Sequence, residues 1–178
     1  MKKFCLLILV FIVSCSSVPS HEGFWEGNIY TNEGLGVTFT LPNNFEIISE
    51  DEIGYFLGSL NIDVEAIDML VIKEDRTANL VISIEDNRNR SIEEVLEYMS
   101  SEINLDGLET EITEGSITLG GTEWTTKRFY VQILEGVSTF EVLFLVSTLG
   151  NYLRAITIIS TSFSEYSAND LLEFFEDL

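Results

Sequence analysis

Phe140-Glu141-Val142-Leu143-Phe144-Leu145-Val146, followed closely by Tyr152-Leu153-Arg154-Ala155-Ile156-Thr157-Ile158-Ile159, decides how this 178-residue chain folds. Successive side chains of a strand point to opposite faces. Phe140, Val142, Phe144 and Val146 therefore lie on one face, and Leu143 and Leu145 on the other. A strand that is apolar on both faces is a central strand covered from both sides, because a sheet open to water on one side alternates more cleanly. Gly150-Asn151 separates the two runs, and Glu135-Gly136 and Gly120-Gly121 punctuate the chain upstream in the same way. Each is a plausible two-residue hairpin connection, so four strands are predicted at about 109–118, 122–134, 137–148 and 151–160.

Working toward the N-terminus, Ser91 and Glu94 form a capping box. Ile92, Val95, Leu96, Met99 and Ile103 then recur at helical spacing, which predicts a helix from Ser91 to Asn104. Met69–Lys73 and Asn79–Glu85 read as two strands joined by a charged turn at Glu74-Asp75-Arg76. Val37, Phe39 and Leu41 alternate with Thr38 and Thr40, Pro42-Asn43-Asn44 turns the chain, and Phe45, Ile47 and Ile48 look like the returning strand. Ser49 with Glu52 resembles the cap of a short helix running to about Leu57. At the C-terminus Leu171, Leu172, Phe174, Phe175 and Leu178 line one side of a predicted closing helix. The expected fold class is α+β: one antiparallel β-sheet flanked by helices, with one core and no repeats.

Ahead of this domain, Lys2-Lys3 precede an apolar run from Phe4 to Val13, and Ser14 stands directly before Cys15. Ten residues are too few to cross a hydrocarbon core, which needs about 20 in a helix. A basic start, a short apolar run and a small residue at the end mark a targeting segment that is removed. Ile12-Val13-Ser14-Cys15 resembles the lipobox of bacterial lipoproteins. That resemblance implies cleavage before Cys15, a diacylglycerol on its sulfur and further acylation of the new amino terminus, with fatty chains such as palmitate. Several chains, at about 0.8 kcal/mol per buried methylene, hold far more firmly than one. Residues 1–14 are then the signal peptide, 15–27 the lipidated cysteine and a flexible tether, and 28–178 a single domain. Ser16 is not the aspartate that often retains lipoproteins in an inner membrane. The expected location is the cell envelope: the outer membrane of a two-membraned host, otherwise the outer face of the plasma membrane.

Removal of the signal takes Cys5, and lipid consumes Cys15, so no thiol is left for a disulfide, a nucleophile or a zinc site. Thirty acids remain against seven Lys and Arg (nine less Lys2 and Lys3), a formal charge of −23. Such a surface repels phosphate backbones and anionic headgroups, which excludes nucleic acid as a partner. It attracts cations and basic partners, or serves as a solvated envelope surface.

Residues with chemistry in them are few. The single histidine, His21, lies in the tether, badly placed as the base of a Ser-His-Asp arrangement. Lys73 and Lys127 sit in no recognisable motif. Calcium accepts oxygen ligands, and Asp86-Asn87-Arg88-Asn89 and Asn61-Ile62-Asp63-Val64-Glu65 are the best local clusters; neither has EF-hand spacing. Gly34-Leu35-Gly36 lacks the lysine and helix of a phosphate loop and reads as a hairpin turn. Trp124, Phe129 and Tyr130 read as core or sheet surface, and Trp25 as a staple of the N-terminus or a partner contact. No catalytic, cofactor-binding or metal residue is assigned and no cofactor is expected; the one assigned site is lipidation at Cys15.

The run Ile29-Tyr30-Thr31-Asn32, then Gly36-Val37-Thr38-Phe39-Thr40-Leu41-Pro42, resembles the opening hairpin of small bacterial lipoproteins with a Mog1/PsbP-like domain. The likeness continues through Ser49–Ile53, Asp68-Met69, Ser91–Glu94, Leu119-Gly120-Gly121 and Gly150-Asn151-Tyr152, in order along nearly the whole domain. It implies an α-β-α sandwich and an adaptor role, with no catalytic residues to carry over. The leading expectation is a non-enzymatic binding or accessory module for an envelope protein partner. The alternative is a carboxylate-based envelope hydrolase or a calcium-dependent saccharide-binding protein.

Overall fold

The computed structural model describes residues 22–49, 51–53, 66–87, 89–101, 108–134 and 138–178. They form two antiparallel sheets. The smaller has four strands in the order β1 (Phe24–Glu26), β2 (Ile29–Asn32), β3 (Val37–Thr40) and β11 (Phe175–Asp177). The larger has seven: β4 (Phe45–Ile47), β5 (Ile67–Lys73), β6 (Ala78–Asp86), β10 (Tyr152–Thr161), β9 (Ser138–Leu149), β8 (Thr122–Leu134) and β7 (Glu109–Leu119), in that spatial order. Helix α1 (Ile92–Ser101) carries the chain from β6 to the far edge at β7, and three hairpin-linked strands then bring it back to pair with β6. A five-residue helix, α2 (Ala168–Leu172), precedes β11.

Strand β9 is buried on both faces, as its sequence pattern requires. Val142, Phe144 and Val146, with Phe129 and Leu153, form one layer closed by Val95 and Leu96 of α1. Leu143 and Leu145, with Val71, Leu80, Ile82, Ile156 and Ile158, form the opposite layer, against Tyr30, Val37, Phe39 and Phe175 of the smaller sheet. Ile48 and Ile53 cover Ile67, Leu70 and Ile72 at the β5 end.

The expected α+β fold, one antiparallel sheet flanked by helices in an α-β-α sandwich, therefore does not form: the described residues are mostly strand, and a second sheet, not a helical layer, covers one face of the main sheet. Two strands account for the difference. Phe175 was read as part of a closing helix, but it is opposite Phe39 in the β11–β3 ladder, their rings 4.9 Å apart. The capping box of Ser167 and Asp170 starts a helix that ends at Leu172. The carboxylate of Asp177 then accepts from the Gly120 amide at 2.7 Å, and the Leu178 amide donates to the Gly36 carbonyl at 3.0 Å. Phe45–Ile47, read as returning beside Val37–Leu41, instead pairs with β5 in the other sheet (Phe45 opposite Lys73, Ile47 opposite Val71). The Pro42 turn thus moves the chain between layers.

Gly120 shows how closely the layers meet. Its φ is +61°, and a Cβ there would lie 2.3 Å from the Leu35 carbonyl oxygen. The tip of the β7–β8 hairpin abuts the β2–β3 turn with no room for a methyl group.

Because Phe39 is fully buried between the sheets, Phe39→Ala is expected to destabilise the protein by about 3–5 kcal/mol. Urea unfolding checks this; a loss below about 1 kcal/mol would mean that the smaller sheet is a detachable flap.

Candidate functional site

Cys15, His21 and the cluster 61–65 lie outside the described residues. Of the other acidic cluster, Asp86 ends β6, the Asn87 amide donates to the Asn151 carbonyl at 2.7 Å, and Asn89 has a positive φ of 61°. Arg90 pairs with Glu85 at 2.7 Å. It is a turn closed on itself, and among the described residues no group of three or more His, Cys, Asp or Glu is placed to hold a metal ion. The amides of Leu35 and Gly36 are engaged by Asn32 within the β2–β3 turn, so Gly34-Leu35-Gly36 presents no phosphate cradle. Both lysines are paired, Lys127 with Glu114 at 3.4 Å and Lys73 with Asp75. The Lys73 ammonium and the hydroxyl and amide of Thr77 hold the exposed Asp75 carboxyl at about 2, and Asp75 in turn raises Lys73.

The residues that do converge lie between the two sheets, beside the start of β1. The Gly23 amide donates to both Asp68 oxygens, at 2.9 and 3.2 Å. The Tyr30 hydroxyl donates to Asp68 Oδ2, and Asn32 Nδ2 reaches the same oxygen at 2.7 Å and the Tyr30 oxygen at 3.1 Å. Tyr30 and Asn32 are two apart on β2 and so share its inward face. Asp68 is on β5 of the other sheet, so this knot joins both layers to the segment just before β1. Burial, then the neighbouring Asp68 charge and the hydrogen bond to it, push the Tyr30 hydroxyl well above its ordinary pKa, and Asn32 opposes them. A phenol held protonated in this way serves as a donor, not as a base.

Trp25 packs its ring 5.4 Å from Tyr30, which fits a staple of the N-terminus. Trp25 itself lies in β1 (Phe24–Glu26). A Cβ at Gly23 would fall 2.2 Å from the Tyr30 ring, so the latch has room only for glycine.

Two further ties hold the sheets together. Arg154, counted from sequence among the surface charges, is 3% exposed, with its guanidinium 5.2 Å from the Trp124 ring centre and Nη1 2.9 Å from the Gly34 carbonyl. Trp124 is buried and donates to the Leu119 carbonyl at 3.0 Å. On β9 the buried Glu141 pairs with Arg128 at 3.0 Å and accepts the Ala168 amide at 3.1 Å; Arg128 also reaches Asn169 at 2.5 Å. These side chains are all engaged in holding elements in place.

The accessible remainder is the edge of the main sheet. From Glu111 to Ser116 strand β7 is exposed on both faces. Ile112 is 52% exposed, and beside it on β8 Tyr130 is 41% exposed while Phe129 is buried. Among the described residues no strand pairs with the outer side of β7. The sequence carried signals for the latch, namely an asparagine on the inward side of an apolar strand and an aspartate at a strand start. Nothing in it said that they meet.

No family model and no curated protein matches the chain. Solved structures with a similar course include a protein of Bacteroides thetaiotaomicron, at 14% identity and a TM-score of 0.48 over 86% of this chain. This chain spans 49% of that protein's length. The Saccharomyces cerevisiae Ran-binding protein Mog1p is 11% identical, with a TM-score of 0.44, over 80% of this chain and 90% of its own. LpqN of Mycobacterium tuberculosis, involved in cell envelope biogenesis, is 10% identical, with a TM-score of 0.44, over 78% of this chain and 75% of its own. At such values the likeness is one of chain course alone.

Asp68→Ala leaves the Tyr30 hydroxyl and the Asn32 amide without their shared acceptor, an expected loss of about 1–3 kcal/mol. Gly23→Ala is expected to expose 22–26 to protease; unchanged cleavage would argue against the latch. Because the folded pKa of Tyr30 is raised, its contribution is complete below about pH 10 and lost as the pH climbs above that. Tyr30→Phe should therefore lack this alkaline fall in melting temperature. Asp75 has the opposite sign: its contribution is present above about pH 4 and fades toward pH 2. A carboxyl NMR titration with a midpoint near the ordinary value for aspartate would refute the Lys73 pairing.

Proposed function

We propose that this protein is a lipid-anchored, non-enzymatic accessory domain of the bacterial cell envelope that holds a protein partner close to the membrane. The observation carrying this reading is the knot at Gly23. Its amide is held by Asp68 eight residues after Cys15, the residue of the lipobox-like stretch that would carry lipid. Eight residues reach at most about 27 Å even when fully extended. A domain latched at that point stays within one small-protein diameter of the bilayer, and its entry point is fixed to both sheets.

The charge suits this role. A formal −23 after signal removal keeps the body of the domain off anionic headgroups, so that only the anchor touches the membrane and the surface is left for a partner. The outer membrane of a two-membraned host, or the outer face of a single plasma membrane, is the location that fits Ser16 after the cysteine. Tyr30 and Asp68 are engaged in the latch, Glu141 and Arg128 at α2, and Lys73 with Asp75 in a turn. This arrangement supports binding over turnover.

Cells expressing the full chain and fed labelled palmitate should yield a labelled protein that partitions into detergent, and Cys15→Ala should yield an unlabelled one. Cross-linking in intact cells should then capture an envelope protein with the native chain and lose it with Cys15→Ala. A native chain that takes no label removes the anchor, and capture unaffected by Cys15→Ala removes its role in partner holding.

A further inference from the structure

Among the described residues, strand β7 is a long edge with no strand paired to its outer side. It has eleven residues, whereas the opposite edge of the same sheet, β4, has three. The direction of its backbone groups follows from its turn. Leu119 and Thr122 close a two-residue loop in which Gly120 and Gly121 both have positive φ, 61° and 65°, the signature of a type I′ hairpin. In such a hairpin the closing pair exchanges both hydrogen bonds, and such pairs alternate along an antiparallel ladder. The odd-numbered residues of β7 therefore bond to β8. Thr110, Ile112, Glu114 and Ser116 turn their N–H and C=O outward, away from the sheet. Among the described residues no strand takes them up.

The side chains say what kind of strand fits. Glu109, Glu111 and Glu114 are carried on β7, and the strand itself has no lysine or arginine; Glu114 pairs with Lys127 of β8 at 3.4 Å, so within Thr110–Ser116 the charge directed at a partner is that of Glu111. Natural edges are commonly guarded by lysine, which would repel a basic segment. Here the guard has the opposite sign. A second copy of this chain would set glutamates against glutamates and bring together two strongly acidic domains, so self-pairing is opposed. A segment bearing lysine or arginine at alternate positions converts the same repulsion into cross-strand attraction. Exposed Ile112 offers apolar contact on one face of the edge, while Tyr130, opposite Glu111 on the other face, is engaged by Arg128.

We propose that the outer edge of β7, from Thr110 to Ser116, takes up an extended lysine- or arginine-bearing segment of a partner protein as an added strand. This deepens the reading of the protein as an accessory module, and rests on it for the existence of a protein partner.

The test uses the full-length chain in neutral detergent with three fluorescent peptides of equal length. One alternates lysine with valine and threonine, the second has glutamate in place of lysine, and the third keeps the lysines but is interrupted by proline. The lysine strand should bind, more weakly as salt rises, and should slow hydrogen exchange at the amides of Thr110, Ile112, Glu114 and Ser116. The glutamate peptide should not bind, and the proline-interrupted peptide should bind at least about tenfold more weakly. Ser116→Pro removes one outward donor without breaking a rung to β8 and should weaken binding similarly. Glu111→Gln, which leaves the backbone alone, keeps the test open if the proline variant misfolds, and should lower both affinity and salt dependence. Equal binding of the straight and proline-interrupted lysine peptides, absence of binding by the lysine strand, or protection confined to other amides would each overturn the proposal. None of these readouts involves Cys15 or a bilayer, so failure here leaves the anchored-module reading standing, and absence of palmitate leaves the edge result standing.

Discussion

Apolar contact between the two sheets is the constraint on which the other features depend. Phe39 and Phe175, facing each other across β3 and β11, press with Val37 and Tyr30 onto Leu80, Ile82, Leu143, Leu145, Ile156 and Ile158. No single sheet buries this surface. The large sheet is apolar on both faces, so α1 satisfies one side and the other needs a cover as wide as three strands. The four-stranded sheet supplies it from the two ends of the domain, with β1 to β3 from the beginning and β11 from the end. Closing the core therefore also brings the chain termini of the domain together.

Once the layers are in contact, their polar groups have to be satisfied. A buried charge without partners is unfavourable by several kcal/mol; Glu141 and Arg154 meet a donor, an acceptor or a ring on another element, as does the half-buried Asp68. Asp68 on β5 collects donors from Gly23, Tyr30 and Asn32 of the smaller sheet. Arg154 on β10 lies against Trp124 and donates to the β2–β3 turn at Gly34. Glu141 on β9 takes the first amide of α2 and the guanidinium of Arg128. Apolar packing tolerates sliding between layers, but these directional bonds admit one register. They set the orientation of the small sheet, and with it the position of Gly23.

Much of this was legible in the sequence, and the failures share a cause. The four long strands, the two upstream strands and α1 appear at nearly their expected bounds, because hairpin glycines, alternation and the Ser91–Glu94 box are local signals. Phe45–Ile47 is a strand, as expected, but in the other sheet. The C-terminal run from Leu171 suits a helix by spacing, yet Phe175 is held straight by its partner on β3, more than a hundred residues away in sequence. The motif of Tyr30 and Asn32 stood out as a pattern, but its meaning lay in Asp68, and Arg154 read as one more surface charge.

The sequence by itself determined the strands from β5 to β10, the helix between β6 and β7, the two-faced burial of β9 and the acidic charge. Each of these depends on residues close together in the chain or on plain composition. Only the tertiary structure decided that a second sheet covers the first, that Gly23 is latched to Asp68, that Arg154 is internal and that, among the described residues, no strand pairs with the outer side of β7. Those outcomes depend on which distant strand reaches a given face first and leaves no room for another, and pairing of that kind has no signature within either strand alone.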